Sequence, residues 1–133
     1  MSRKISCSIL TPEKFVYEGE TEFAVVQAYN GEMGFLLNHA PLIAELGTGE
    51  IRLRDKDSAM FFVVEGGIVE IRNNNLIVLA ESAVPREDLD VDDLEDELKE
   101  LKSMEFEPFS DERFEVQQEI ERTKIKLKVA RKR

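Results

Sequence analysis

Gly31-Glu32-Met33-Gly34-Phe35-Leu36-Leu37-Asn38-His39-Ala40-Pro41-Leu42-Ile43-Ala44-Glu45-Leu46 is the most heavily punctuated stretch of the chain. Two glycines flank a Glu-Met pair, Asn38-His39 breaks an apolar run, and Pro41 restarts it. Glycine at both ends of so short a segment marks backbone angles that residues with a Cβ avoid, and proline presets the chain as it leaves the turn. The stretch reads as the contact edge of a β domain, with the only histidine of the protein in its turn.

On either side of it the apolar pattern has the period of strands. Ile5, Cys7 and Ile9 alternate with Ser6 and Ser8, and Phe15 and Tyr17 follow a Thr11-Pro12-Glu13 turn until Gly19 breaks the run. Residues 23–28 are a second apolar run. Ile51 and Leu53 alternate with Arg52 and Arg54, giving a strand with one wet face. Runs at 60–64, 68–71 and 76–80 are separated by Gly66-Gly67, a bulge or close-approach signal, and by Asn73-Asn74-Asn75, a hairpin signal because asparagine tolerates left-handed angles. About eight or more short strands with turn chemistry between them, and no helix-period segment separating them, predict an antiparallel sandwich or barrel.

Near Pro85 the chain changes character, so residues 1–86 are taken as the β domain and 87–133 as a helical appendage. Val91, Leu94, Leu98 and Leu101 are spaced 3, 4, 3 and form one apolar stripe, with Asp88 or Asp90 as cap. Pro108 ends this helix. Ser110 or Asp111 caps a second, on which Val116, Ile120, Thr123, Leu127 and Ala130 are spaced 4, 3, 4, 3. Two narrow stripes joined by a short loop predict an antiparallel helical hairpin, and the fold class is α+β. Charge along it is segregated: residues 87–121 hold 16 acidic side chains, while residues 122–133 hold seven basic ones and no acid. Cations at a helix C-terminus complement its dipole, and in an antiparallel hairpin they also face the acidic start of the first helix.

Several function classes are excluded by composition. The chain has 28 acidic and 18 basic residues and a net charge of −10, which opposes general nucleic-acid binding. Cys7 is the only cysteine, so no intrachain disulfide forms, as suits a reducing compartment. Ile5–Leu10 is too short and too polar for a signal-peptide core, and no apolar run approaches the roughly 20 residues of a membrane span. The expectation is a soluble, cytosolic protein that reaches a membrane only through a partner. A metal centre or a nucleophilic site needs a constellation that one histidine and one cysteine cannot supply, so no catalytic residue, metal or cofactor is expected. A non-enzymatic interaction module, free-standing or part of a larger machine, is what the residues alone describe.

Those residues resemble the ε subunit family of the F-type ATP synthase (named δ in mitochondria). Gly31-x-x-Gly34-Phe35-x-x-x-His39-x-Pro41-Leu42 is similar to the family's Gly-x-x-Gly-Ile-x-Pro-x-His-x-Pro-Leu signature, and the block from Gly66-Gly67-Ile68-Val69-Glu70-Ile71 to Val78-Leu79-Ala80 matches at the right spacing. The resemblance covers the whole chain. It implies an N-terminal antiparallel β-sandwich of about ten strands and a C-terminal antiparallel two-helix hairpin. It also implies a non-catalytic central-stalk subunit, bound to γ and resting on the membrane rotor ring, whose hairpin inhibits ATP hydrolysis. The expected location is the cytoplasmic face of a bacterial plasma membrane, with a chloroplast thylakoid as the alternative.

Carried over position by position, the resemblance implies rotor-ring contacts at Tyr29, Asn30 and Glu32, and γ contacts at Thr11, His39 and Ala40. It implies an approach of Arg122, Lys124, Lys126 and Lys128 to an acidic region of the catalytic β subunits. Two departures stand out. The family's proline two residues before the histidine is Leu37 here. The Ile-Asp-x-x-Arg-Ala motif of ATP-binding relatives reads Leu89-Asp90-Val91-Asp92-Asp93-Leu94, with the aspartate kept and the phosphate-facing arginine replaced by Asp93. Like charge there repels a nucleotide, so no ATP site is expected.

Overall fold

The computed structural model describes residues 3–28 and 31–132. Nine strands are followed by a short 3-10 turn and two helices: β1 (Ile5–Leu10), β2 (Phe15–Thr21), β3 (Phe23–Ala28), β4 (Gly31–Phe35), β5 (Leu42–Asp55), β6 (Ser58–Glu65), β7 (Ile68–Arg72), β8 (Asn75–Leu79), β9 (Ser82–Pro85), α1 (Val91–Ser103) and α2 (Asp111–Ala130). The chain divides into two compact units, Met1–Arg86 and Glu87–Arg133.

The β unit is a sandwich hinged on one strand. The first half of β5 pairs with β7, which continues through β8 and β1 to β2. The second half pairs with β3 and β6, which lead to β4 and β9. Residues 51–54 read as a strand of their own, but they continue residues 42–50 as one 14-residue strand that passes from β7 to β3 after Glu45 and turns a corner between Leu46 and Ile51, where its register on β3 shifts. Gly49 permits the corner: a Cβ there would lie 2.4 Å from Gln27 Cβ. Counting β5 in both sheets gives each sheet five strands, which reconciles nine continuous strands with the about ten expected. All pairings but one are antiparallel. The exception is β1 with β8, where the returning chain lies alongside the first strand.

The inner faces bury Ile5, Ile9, Val26, Phe35, Ile51, Phe62, Ile71 and Val78, each 2 % exposed or less. These are alternate residues of their strands, so the period-two pattern is what fills the core. Cys7 is among them, and burial pushes its thiol up to about 12. It therefore stays protonated and behaves as a small core hydrophobe. Thr21 is the buried polar side chain of this unit, and its hydroxyl donates within reach of the carbonyls of Phe23 and Arg54 at 3.2 and 3.0 Å. Gly19 does not end β2; the Tyr17 ring folds over it, with the phenolic oxygen 2.5 Å from where a Cβ would stand.

In the other unit, Asp90 caps α1 by accepting from Asp93 N at 3.1 Å, and Ser110 caps α2 by accepting from Arg113 N at 3.1 Å. The helices pack against each other through the stripes read from sequence, burying Leu94 against the side that carries Ile120, Thr123 and Leu127.

Candidate functional site

The punctuated stretch forms β4, a tight turn and the start of β5. His39 N donates to Leu36 O at 3.1 Å, and Asn38 has φ +67°. That is the pattern of a type II turn, which takes proline at its second position and glycine or asparagine at its third. Leu37 stands where the family signature has proline. The turn survives because Asn38 supplies the positive φ, Leu37 packs on the core, and Asn38 N donates to Asn74 Oδ1 at 2.6 Å. Asn74 belongs to the β7–β8 hairpin, whose two loop residues Asn73 and Asn74 have φ +50° and +62°, as a type I′ turn requires. The asparagines thus fasten the signature turn to one end of the sheet.

His39 is half-buried and has no catalytic company. Its Nδ1 lies 2.6 Å from Ala40 O and its ring 5.1 Å from that of Phe35. Thr11 uses its own backbone and hydroxyl to hold the carbonyl of Lys14. The strand register shows that these γ-contact candidates do not converge. Thr11 follows the end of β1 that pairs with Leu79, whereas His39 and Ala40 precede the opposite end of β5, next to the Asn73-Asn74 loop.

Between them lies a surface that sequence reasoning missed. Residue rows running across the sheet from β5 through β7 and β8 to β1 alternate between faces. Leu42, Ile71, Leu76 and Cys7 point inward; Ile43, Glu70, Ile77 and Ser8 point outward; the next outward row is Glu45, Ile68, Leu79 and Leu10. Ile43, Ile68, Ile77 and Leu79 are all large, apolar and exposed, Ile43 by 65 %. Ser6, Arg72 and Asn75 border them at the polar end. The available signal was the unbroken Leu76-Ile77-Val78-Leu79 run, since a strand with only one buried face alternates.

Of the rotor-ring candidates, Tyr29 and Asn30 lie outside the described residues. Glu32 is exposed on β4, where its carboxylate accepts from Gln27 Nε2 at 2.8 Å and lies 3.8 Å from Arg52. Gly31 begins that strand at φ +128°, with open space where a Cβ would point.

In the hairpin unit, Arg122 and Lys124 pair along their own helix with Glu119 and Glu121, at 2.5 and 3.5 Å. Lys126 is half-buried and Lys128 exposed on the same helix. One link from the basic end of α2 to the acidic start of α1 comes from a residue outside the predicted set: Arg131 Nη2 donates to Glu95 Oε1 at 2.7 Å. The aspartate kept from the nucleotide motif, Asp90, is occupied as a helix cap, and exposed Asp92 and Asp93 crowd the first turn. Isothermal titration of the full chain with ATP is therefore expected to give no saturable heat below about 1 mM, because two or three like charges at the helix start each oppose the phosphates by on the order of 1 kcal/mol. Among the described residues no group of three His, Cys, Asp or Glu side chains converges as a metal cage. Among the described residues no helix is long and apolar enough to cross a membrane.

Comparison with known proteins gives these surfaces a family. Residues 4–86 match the model of the ATP synthase delta/epsilon chain β-sandwich domain. The chain is 36 % identical over 129 residues to the ATP synthase epsilon chain of Leptospira interrogans, covering 97 % of each. It is 37 % identical over 89 residues to that of Priestia megaterium, covering 67 % of this chain and 66 % of the other. Its fold is like that of a chain in the cryo-EM structure of Euglena gracilis mitochondrial ATP synthase, with a TM-score of 0.82 at 19 % identity, over 93 % of this chain and 79 % of that one. On the match to the β-sandwich model and the end-to-end identity to an epsilon chain, the protein belongs to the ATP synthase delta/epsilon chain family.

Proposed function

We propose that this central-stalk subunit docks on γ through the outward row of β5, β7 and β8 and rests on the membrane rotor ring through the β3–β4 turn, passing rotation between them. The observation that carries the reading is the outer face of Ile43, Ile68, Ile77 and Leu79, four exposed aliphatic side chains on three neighbouring strands, with Glu45 and Glu70 in the same rows. Soluble domains seldom leave four large aliphatic side chains together on one sheet face unless a partner covers them. Thr11 at one end and His39 with Ala40 at the other frame the face, so the γ contacts implied by the family signature become the borders of one surface. The sequence between β3 and β4, with Tyr29 and Asn30, and Glu32 at the exposed start of β4 are left for the ring. The subunit is non-catalytic and is a peripheral component of a membrane-bound complex. With bacterial relatives such as Leptospira interrogans, the cytoplasmic face of a bacterial plasma membrane is its proposed place. Titration of purified γ into the full chain tests the docking: a saturable one-to-one complex is expected, and the absence of any complex at micromolar concentration sinks the reading.

The hairpin is proposed as the regulatory half. Its cations, Arg122, Lys124, Lys126 and Lys128, engage an acidic surface of the catalytic β subunits, and Glu95, Glu119 and Glu121 compete for cations of the same helix end. Each such surface pair is worth only about 0–1 kcal/mol, so the exchange is nearly balanced and can be switched. Changing the four cations to alanine is expected to raise ATP hydrolysis by the assembled enzyme roughly fivefold. If removal of residues 87–133 raises hydrolysis but the alanines do not, charge is not the inhibitory agent.

A further inference from the structure

The loop end of the hairpin shows a local choice that works against the isolated fold. Residues 107–110 form a turn in which Ser110 N donates to Glu107 O at 3.2 Å, with Pro108 at the second position and Phe109 at the third, φ +62°. The third position of such a turn selects glycine or asparagine, because a Cβ crowds the adjoining backbone there. The turn at residues 36–39 obeys this with Asn38. Here a phenylalanine takes the place, and it is 96 % exposed. Phe114, one turn into α2, is 65 % exposed, and Met104 at the end of α1 is exposed as well. Phe109 and Phe114 line an open groove of about 510 Å³ with Ser110, Asp111, Arg113 and Gln117.

We propose that this tip is a docking site for a partner segment that places an apolar side chain between Phe109 and Phe114 and flanks it with lysine or arginine. Charge selects the occupant. Glu105, Glu107, Asp111, Glu112 and Glu115 are exposed and lie within four residues of Phe109 or Phe114 along the chain, Asp111 lines the groove, and Arg113 is the sole cation among residues 104–115. A second copy would bring its own carboxylates against these, and nucleic acid or an anionic lipid surface is repelled for the same reason. A basic segment meets a complementary rim, while two aromatics held on a fixed turn and a helix lose little side-chain freedom on contact. Backbone strain in the free chain is then the cost of presenting Phe109 outward. The site lies at the other end of α2 from its basic end, and rests on the chain working within an assembled stalk.

The test uses the assembled ATP synthase with photoreactive benzoylphenylalanine replacing Phe109, or in a second sample Phe114, and retention of the chain in the complex measured on the same material. The expected result is an adduct from position 109 on another subunit, at an apolar residue with a lysine or arginine within three positions. In a Phe109→Gly background the adduct yield from position 114 falls at least fivefold, while the thermal midpoint of the isolated full-length Phe109→Gly chain is unchanged or higher. No adduct from a retained chain, or an adduct on lipid, a second copy or an acidic segment, overturns the proposal. So does a lowered thermal midpoint for Phe109→Gly, because Phe109 then serves the fold. A chain that is not retained in the complex defeats the stalk reading itself, and the docking tip with it.

Discussion

Gly67→Ala is expected to destabilise the β unit by about 3–5 kcal/mol, lowering its thermal midpoint by roughly 15–30 °C. The reason is geometric. Gly67 has φ +104°, and a Cβ added there would stand 1.8 Å from Leu79 O and 2.8 Å from the Cα of Ala80. Both obstacles are backbone, so no rotamer change relieves them. The same residue gives its carbonyl to Leu46 N at 2.9 Å, at the point where β5 leaves one sheet for the other. A shift large enough to admit the methyl would pull on β5, β7 and β8 together. Gly31→Ala is the control: its φ is +128°, but nothing stands within 4 Å of the new atom, so only backbone strain of about 1 kcal/mol is expected. Thermal melts of the two full-length variants by circular dichroism make the comparison, and equal midpoints for both would falsify the close-approach account.

Ile43→Glu combined with Ile77→Glu is expected to weaken γ binding at least about 100-fold, a loss of about 2.7 kcal/mol or more, while leaving the melt of the free chain within a few degrees of the parent. Both side chains point outward on the same row, with Glu70 between them, so the free chain keeps its core. At a docked interface each substitution removes about 1.5–3 kcal/mol of aliphatic burial and leaves a carboxylate in a place that excludes water. Titration of γ into the double variant reads the effect directly. Parent-like affinity would move the γ contact off this face and leave the exposed isoleucines unexplained.

The two expectations concern features of different legibility. Gly66-Gly67 is visible in the sequence as a close-approach signal, but which backbone comes close is decided by the β7–β8 hairpin folding Leu79 against the strand that precedes it in the sheet. The alternation of Ile5, Cys7 and Ile9 identifies the inward face of β1 from local chemistry alone. The outward face is invisible locally, because Ile43, Ile68, Ile77 and Leu79 come from three strands and become neighbours only through register. Arg131 is invisible locally for a related reason: choosing among seven cations requires knowing which one the helix packing brings to Glu95.

What the sequence determined by itself is whatever depends on one residue and its near neighbours. Asparagines that tolerate positive φ set the β7–β8 turn, a cap at Asp88 or Asp90 and another at Ser110 or Asp111 start the helices, the 3–4 spacing aligns the hairpin, and the signature stretch marks a contact edge and a family. The tertiary structure decided everything that depends on distant segments meeting. It joined the strand read at residues 51–54 to the end of the signature stretch as β5 and carried that strand across both sheets past Gly49. It laid β1 parallel to β8, fastened Asn38 to Asn74, and gathered scattered aliphatic residues into one outer face. The physical reason is that turn, cap and periodicity energies are local backbone terms, whereas register and sheet exchange are settled by burying one common core from both sides.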